Sequence, residues 1–306
     1  MPRKCIVCGK DSVVFIPYAR AAFCREHFIS FYERRILKTL KKAKFDGGRV
    51  LVGVSGGKDS MALIYALNRL SGELNIDIFT VHIDLGIYDY SKVSREIVES
   101  EMSRIGVRYE IVNVRDYLGV TIPEAVKKVR RPACSVCGIV KRWILNKIAY
   151  DNSYEYIATG HNIDDVSTYF LKALFTQRVE DLMRGHDIIT PPNLEYRMIG
   201  RIRPQVYLSE RENQLYCIFN DIPFVEDVCP LARGALLHKY KRLWEDILQL
   251  NPIAQINLTK TIMKLREKIP QEKVDLQKCK ICGFATTSKD GICAFCKLKL
   301  RIAEER

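Results

Sequence analysis

The sequence has no run of about eighteen consecutive apolar residues, so a membrane-spanning helix is excluded. An apolar stretch is also missing behind the first basic residues. Met-Pro-Arg-Lys leads straight to Cys5, so a secretory signal is not expected and a cytoplasmic, reducing setting is. Acid is in short supply: 36 Asp and Glu face 49 Lys and Arg, leaving a net charge of +13. The excess is spread along the chain. It points to a polyanionic partner, nucleic acid first, over a merely basic surface. The G-x-x-x-x-G-K-[ST] loop of kinases and GTPases is absent as well, so any nucleotide must be held by another device.

The 306 residues, 47% of them hydrophobic, suffice for one α/β core with small appended modules. Strands are expected at Arg49 to Val54, Ile76 to Ile83, Val107 to Val114 and Tyr154 to Thr159. Helices are expected near Phe28 to Phe45, Met61 to Leu70, Lys92 to Ile105, Cys137 to Tyr150, Asp164 to Phe175, Ser209 to Asn220 and Leu236 to Leu250. This alternation predicts an α/β fold with a doubly wound, mostly parallel sheet. The expected domains are an N-terminal module (1–30), a catalytic core (31–250, opening with a connecting helix 31–46), a polar linker (251–278) and a C-terminal module (279–306).

Most of the eleven cysteines fall in closely spaced pairs. Cys5-x-x-Cys8 is followed by Cys24-x-x-His27, and Cys279-x-x-Cys282 by Cys293-x-x-Cys296. Disulfide frameworks do not favour such repeats. Two knuckles can complete a tetrahedron of thiolate and imidazole ligands, which suits zinc. Four protein ligands leave no open position, so both sites read as structural, with the metal supplying folding energy. Gly9 and Gly283 follow the first knuckles, where backbone amides are expected to bond to thiolate sulfur. A grip on RNA by these modules is a further expectation.

Val50-Leu51-Val52-Gly53-Val54 runs into Ser55-Gly56-Gly57-Lys58-Asp59-Ser60, after which a helix begins. Glycines let a backbone approach phosphate, and the helix N-terminus offers free amides. Ser55 and Ser60 can donate to phosphate oxygens, Lys58 adds charge, and Asp59 either caps the helix or helps to hold Mg²⁺. The stretch resembles the PP-loop of the N-type ATP pyrophosphatase superfamily. That resemblance implies ATP cleavage between the α and β phosphates, with adenine at the backbone of Val81-His82-Ile83. His82 itself reads as structural rather than as a base.

Cys134-x-x-Cys137 follows the basic run Lys127, Lys128, Arg130 and Arg131, and precedes Lys141 and Arg142. Thiols beside so many cations are expected to have lowered pKa values. Thr159-Gly160-His161-Asn162-Ile163-Asp164-Asp165 comes next, and Cys229-Pro230 much later. Asp164 reads as a helix N-terminal charge, and Cys217, without a pattern partner, as a buried core thiol. Together these segments resemble the TtuA family of tRNA 2-sulfurtransferases across nearly the whole chain. Val166-Ser167-Thr168 departs from the family, which commonly has an acidic residue and an alanine there.

The resemblance implies that Cys134, Cys137 and Cys229 hold a 4Fe–4S cluster with one open iron, and that Lys141, Gly160 and Asp165 meet ATP or the reacting base. It implies an ATP- and Mg²⁺-dependent transferase that adenylates the C2 oxygen of the uridine or 5-methyluridine at T-loop position 54, then replaces that oxygen with sulfur. The expected partners are tRNA, a sulfur donor (a ubiquitin-like thiocarboxylate protein or sulfide) and, as in some members, a second copy of the chain. Three alternatives stay open: thiolation of the wobble uridine, a cluster-free persulfide route through Cys137 and Cys229, and a non-enzymatic zinc-containing RNA adaptor.

Overall fold

The computed structural model describes residues 3–177, 187–232, 236–268 and 275–304. Met1 and Pro2, residues 269–274 of the expected linker and residues 305–306 of the C-terminal module lie outside them.

Val50, Leu51 and Val52 are fully buried, as a strand covered on both faces must be. They belong to β3 (Gly48–Gly53), the third of ten strands among the described residues: β1 (Val14–Ile16), β2 (Ala21–Phe23), β4 (Ile76–Asp84), β5 (Tyr109–Asn113), β6 (Tyr156–Ala158), β7 (Ile189–Thr190), β8 (Gly200–Ile202), β9 (Gln277–Lys278) and β10 (Ala285–Thr286) are the others. Six of them form the central sheet, in the order β5-β4-β3-β6-β8-β7. All its pairings are parallel except β7 with β8. The expected doubly wound sheet is therefore present. β7 and β8, of two and three residues, were not foreseen because they are too short to display a period.

From β3 the chain builds toward β4 and β5, then crosses to β6 on the other side. Loops leaving the carboxyl ends of β3 and β6 open into the crevice at this reversal, where open α/β sheets take their ligands. Those two loops are Ser55–Gly57 and Thr159–Asn162.

Helices cover both faces. One layer holds the loop helix (Lys58–Arg69) with helices Arg25–Lys42, Tyr88–Arg104 and Glu210–Phe219; the other holds the cysteine helix (Ala133–Asp151) with helices Ile122–Val129 and Ala294–Glu304. Helix Arg25–Lys42 starts inside the N-terminal ligand set, with Cys24 at its N-cap, and continues unbroken into the expected connecting helix (31–46), ending at Lys42. Its buried Phe28, Tyr32, Ile36 and Leu40 make a stripe at four-residue spacing.

The polar stretch expected to connect core and C-terminal module (251–278) contains helix Ala254–Lys268, in which Gln255, Thr259 and Ile262 are buried. Polar composition concealed it because two of its inward residues are polar and satisfied. Gln255 Nε2 donates to Asp164 Oδ1 at 2.7 Å, and Thr259 Oγ1 to Gln255 O at 2.9 Å. The C-terminal module, moreover, is docked. Phe295 stacks on Trp143 of the cysteine helix, ring centroids 3.9 Å apart, with Phe284 edge-on at 5.7 Å. Cys279, Cys293, Cys296 and Leu298 share one apolar cluster with Val136, Val140 and Ile144.

Candidate active site

At the crevice, Gly57 is the N-cap of the loop helix, without a side-chain cap. Gly56 has φ +82°, and a Cβ there would come within 3.0 Å of Ser94 O, so only glycine fits. Ser60 Oγ donates to Gly57 O at 2.9 Å and accepts from Ser55 N–H at 3.1 Å. Its hydroxyl shapes the loop, a correction to the expectation that it faces phosphate, whereas Ser55 is exposed. Gly53 packs against Leu145, the nearest atom 3.0 Å from a built Cβ, so it serves the sheet–helix contact. Gly160 does the same between loops: an added Cβ would lie 3.1 Å from Asp59 C and 3.2 Å from Ser60 N. His82 Nδ1 donates to Val54 O at 2.9 Å, and burial lowers its pKa. It ties β4 to the root of the loop.

Asp59 does not cap its helix. Its Oδ1 accepts from Asn213 Nδ2 at 2.8 Å and Asn162 Nδ2 at 3.1 Å. Asn213 in turn accepts from Tyr32 Oη at 2.8 Å, while Gln205 Nε2 donates both to Tyr32 Oη at 2.8 Å and to Asp59 O at 3.0 Å. The N-terminal helix thus braces the nucleotide loop. Burial raises the pKa of Asp59, with Lys58 partly opposing.

Lys58 Nζ lies 3.5 Å from Asp59 Oδ2 and 3.3 Å from Glu210 Oε2. Burial disfavours its charge, but Asp59 and Glu210 outweigh that and raise its pKa. Glu210 also pairs with Lys241, whose Nζ is 3.5 Å from Asp165 Oδ1. Asp165 accepts from Asn162 N–H at 3.3 Å in a capping box, and burial raises its pKa. Asp164 is structural, accepting from Glu210 N–H at 2.7 Å. Glu210 and Lys241 were not among the sequence candidates. Ser209-x-x-Glu212 signals only a helix start, and Lys241 lies on an ordinary amphipathic helix.

The cysteine helix carries Cys134 and Cys137 on one face of its first turns, with Lys141 one turn on. Cys229 arrives from across the crevice. Val225 N–H donates to Gly56 O at 2.9 Å as its segment passes the nucleotide loop, and the following short helix, Pro230–Ala232, packs on the cysteine helix. The three thiols and Lys141 sense one another's charge, as does Tyr90, which sequence reasoning missed. Cys137 above all raises the Lys141 pKa. The expected lowering of thiol pKa is reversed at Cys134, where burial and then Cys137 and Cys229 outweigh Lys141. The basic run turns elsewhere: Lys128 Nζ donates to Ile302 O at 3.4 Å, and Arg131 lines a cleft with Lys297 and Arg301. Nearby Arg201 of β8, partly buried beside Arg203 and Arg142, is held down to about 10. Cys217 is the buried thiol expected, donating to Lys58 O at 3.4 Å and pushed up to about 12 by burial.

Both terminal ligand sets converge, each with its ligand atoms within 4.8 Å of one another. Cys8 and Cys24 sulfurs are 3.8 Å apart and Cys282 and Cys293 sulfurs 3.7 Å. A tetrahedron with zinc–sulfur arms of about 2.3 Å has edges of about 3.8 Å, so the sets fit zinc. Cys134, Cys137 and Cys229, close enough to influence one another's charge, offer the three thiolates that a 4Fe–4S cluster with one open iron would take. Backbone amides reach the first thiols of both sets, as expected (Cys293 N–H donates to Cys279 Sγ at 3.3 Å), while Gly9 and Gly283 N–H close the knuckles on the carbonyls of Cys5 and Cys279 at 2.9 and 2.8 Å. Burial raises the Cys5 thiol, yet amides of Cys24, Val7 and Cys8 overcome it and bring it down to about 6. Cys293→Ala is expected to lose about one of two zincs per chain. It should also lower the melting temperature and red-shift Trp143 emission in a Trp244→Phe background, since Phe295 would leave the indole. Unchanged metal content and emission would refute the structural role.

Comparison with known proteins agrees with this geometry. A PP-loop domain profile matches residues 30–232, and the N-terminal LIM domain of 2-thiouridine synthetase TtuA matches residues 4–29. The tRNA-5-methyluridine(54) 2-sulfurtransferase of Pyrococcus horikoshii is 34% identical, covering 96% of this chain and 93% of that protein. Its counterpart from Thermotoga maritima is 32% identical over 99% of this chain and 98% of that protein. The U34-tRNA thiolase NcsA from Methanococcus maripaludis, solved with its 4Fe–4S cluster, superposes with TM-score 0.83 at 26% identity, covering 96% of this chain and 95% of that one. On these matches, carried by the PP-loop at the sheet reversal and the cysteine ligand sets, the chain belongs to the tRNA-5-methyluridine(54) 2-sulfurtransferase family of PP-loop proteins.

Proposed function

We propose that the protein is an ATP-dependent enzyme that replaces the C2 oxygen of the uridine or 5-methyluridine at tRNA position 54 with sulfur. One observation carries this reading. The segment that hydrogen-bonds the nucleotide loop at Val225 continues to Cys229, so the ATP-binding loop and the three-cysteine site share one crevice. Position 54 is preferred to the wobble position because the relatives named for it are 34% and 32% identical, against 26% for the U34 thiolase.

ATP lies with its phosphates at Ser55–Lys58 and adenine against the carboxyl end of β4 at Val81–Ile83. Asp59 and Asp165 would hold Mg²⁺ there. The C2 carbonyl oxygen bonds to the α-phosphorus, N3–H gives up its proton to solvent, and the bond to pyrophosphate breaks with its electron pair on the leaving group. Lys58 neutralises that charge and Lys141 faces the reacting base. A hydrosulfide equivalent adds at C2, its proton passes to N3, and AMP departs with the former carbonyl oxygen. When bound to three protein thiolates, a 4Fe–4S cluster leaves one iron open for sulfur. The cations Arg142, Arg201 and Arg203 line the approach for RNA phosphate. The sulfur comes from sulfide or a protein thiocarboxylate, and the working assembly is a homodimer.

Anaerobically purified protein should be incubated with unmodified tRNA, ATP and sulfide, and the thiolated nucleotide mapped by nuclease digestion and mass spectrometry. Sulfur at position 54 with AMP release supports the proposal. Sulfur at position 34 transfers it to the wobble reaction. RNA binding with neither AMP nor thiolation would leave only an adaptor.

A further inference from the structure

Lys241 sits on helix Leu236–Leu250, beyond the 30–232 span of the PP-loop match. Its ammonium nevertheless reaches the nucleotide crevice, pairing with Glu210 and lying 3.5 Å from Asp165 Oδ1. Lys58 of the loop shares the same Glu210 at 3.3 Å. Three helices begin here: Lys58 opens the loop helix, Glu210 opens helix Glu210–Phe219, and Asp165 lies in the first turn of helix Ile163–Phe175. Their N-termini all present partial positive charge to one point. Two ammonium groups, each only about a quarter exposed at 28% and 26%, thus meet three carboxylates, Asp59, Glu210 and Asp165, at the mouth of the loop. With Asp59 and Asp165 turned to Mg²⁺, as in the reading above, Glu210 alone would be left for both lysines, and triphosphate oxygens supply the missing negative charge.

We propose that Lys241 is a phosphate ligand of the nucleotide site, exchanging Glu210 and Asp165 for the β and γ phosphates of ATP. Building on the ATP-dependent reading above, this makes Lys241 a catalytic residue of the adenylation step. As the bond between the α-phosphorus and its bridging oxygen breaks, the electron pair moves onto pyrophosphate, and Lys241 with Lys58 neutralises it. Glu210 is the resting counter-charge for both lysines, and Asp165 is released toward Mg²⁺ when Lys241 departs.

The test compares binding of α,β-methylene-ATP and AMP to the full-length protein by calorimetry, with Mg²⁺ present. Wild type should prefer the triphosphate. Lys241→Ala should weaken triphosphate binding about tenfold to a hundredfold, the range of a lost charge-assisted hydrogen bond, and leave AMP binding unchanged. Lys241→Arg should recover part of the loss. Glu210→Gln should tighten the triphosphate several-fold, because the lysines are freed. If Lys241→Ala weakens both nucleotides equally or neither, or if Glu210→Gln loosens the triphosphate, the assignment is wrong while the nucleotide site stands. If wild type itself shows no preference for the triphosphate, the ATP-dependent reading falls with it.

Discussion

Changing Cys137 to alanine is expected to abolish tRNA thiolation and strip the protein of iron while its affinity for ATP analogues stays within about twofold. Alanine is the best helix former, and Cys137 occupies a half-buried place on the cysteine helix, so the fold survives the change. What disappears is the central member of the thiol group. Cys137 interacts with Cys134 and is the main influence on Lys141, so its loss removes a ligand and uncouples that lysine. The nucleotide loop is braced separately, through hydrogen bonds from Asn162, Asn213 and Gln205 to Asp59. Iron analysis, visible absorbance and nucleoside mapping on the same preparation make the check. A variant that loses thiolation from a wild type never containing iron would favour a persulfide relay. A variant that thiolates normally would remove Cys137 from the chemistry.

Lys58→Ala should reduce tRNA-dependent pyrophosphate release on the order of a hundredfold to a thousandfold, the range for deleting one donor to developing transition-state charge. The lysine stands at the first position of the loop helix, where ammonium and helix dipole act on the same anion. Thermal stability should hold, since Glu210 keeps Lys241 as a partner. Single-turnover release of labelled pyrophosphate measures the effect. A loss below about fivefold would show that helix N-termini and metal carry the leaving group without this side chain.

The parts of the site legible in the sequence are those whose chemistry is local. Ser55–Ser60 combines strand, glycine turn and helix start in consecutive residues, and each zinc ligand set is written as two knuckles. Glu210, Lys241 and Tyr90 were hidden because their roles arise only when distant helices converge. The basic run at Lys127–Arg131 misled for a related reason. Adjacency in sequence suggested that these cations face Cys134, yet Lys128 and Arg131 turn toward the C-terminal module. In the fold, β3, β4, β5 and β6 were readable, each lying in an apolar stretch, whereas β7 and β8 are too short to announce themselves. Helix Ala254–Lys268 was masked by buried polar residues, Gln255 satisfied by the distant Asp164 and Thr259 by the helix's own backbone.

The bracing of Asp59 has a consequence for biosynthesis. Asn213, which fixes its carboxylate, follows it by 154 residues, and Tyr32, which fixes Asn213, precedes that partner by 181. As the chain leaves the ribosome, the phosphate-binding loop emerges early but stays unanchored until helix Glu210–Phe219 has followed. Lys241 appears later still. Contacts so distant along the chain are slow to form, and domains complete themselves only when their last element is available. An incomplete chain therefore carries the nucleotide motif without the geometry to fire it, and ATP is not squandered before the thiol site has been assembled beside the loop.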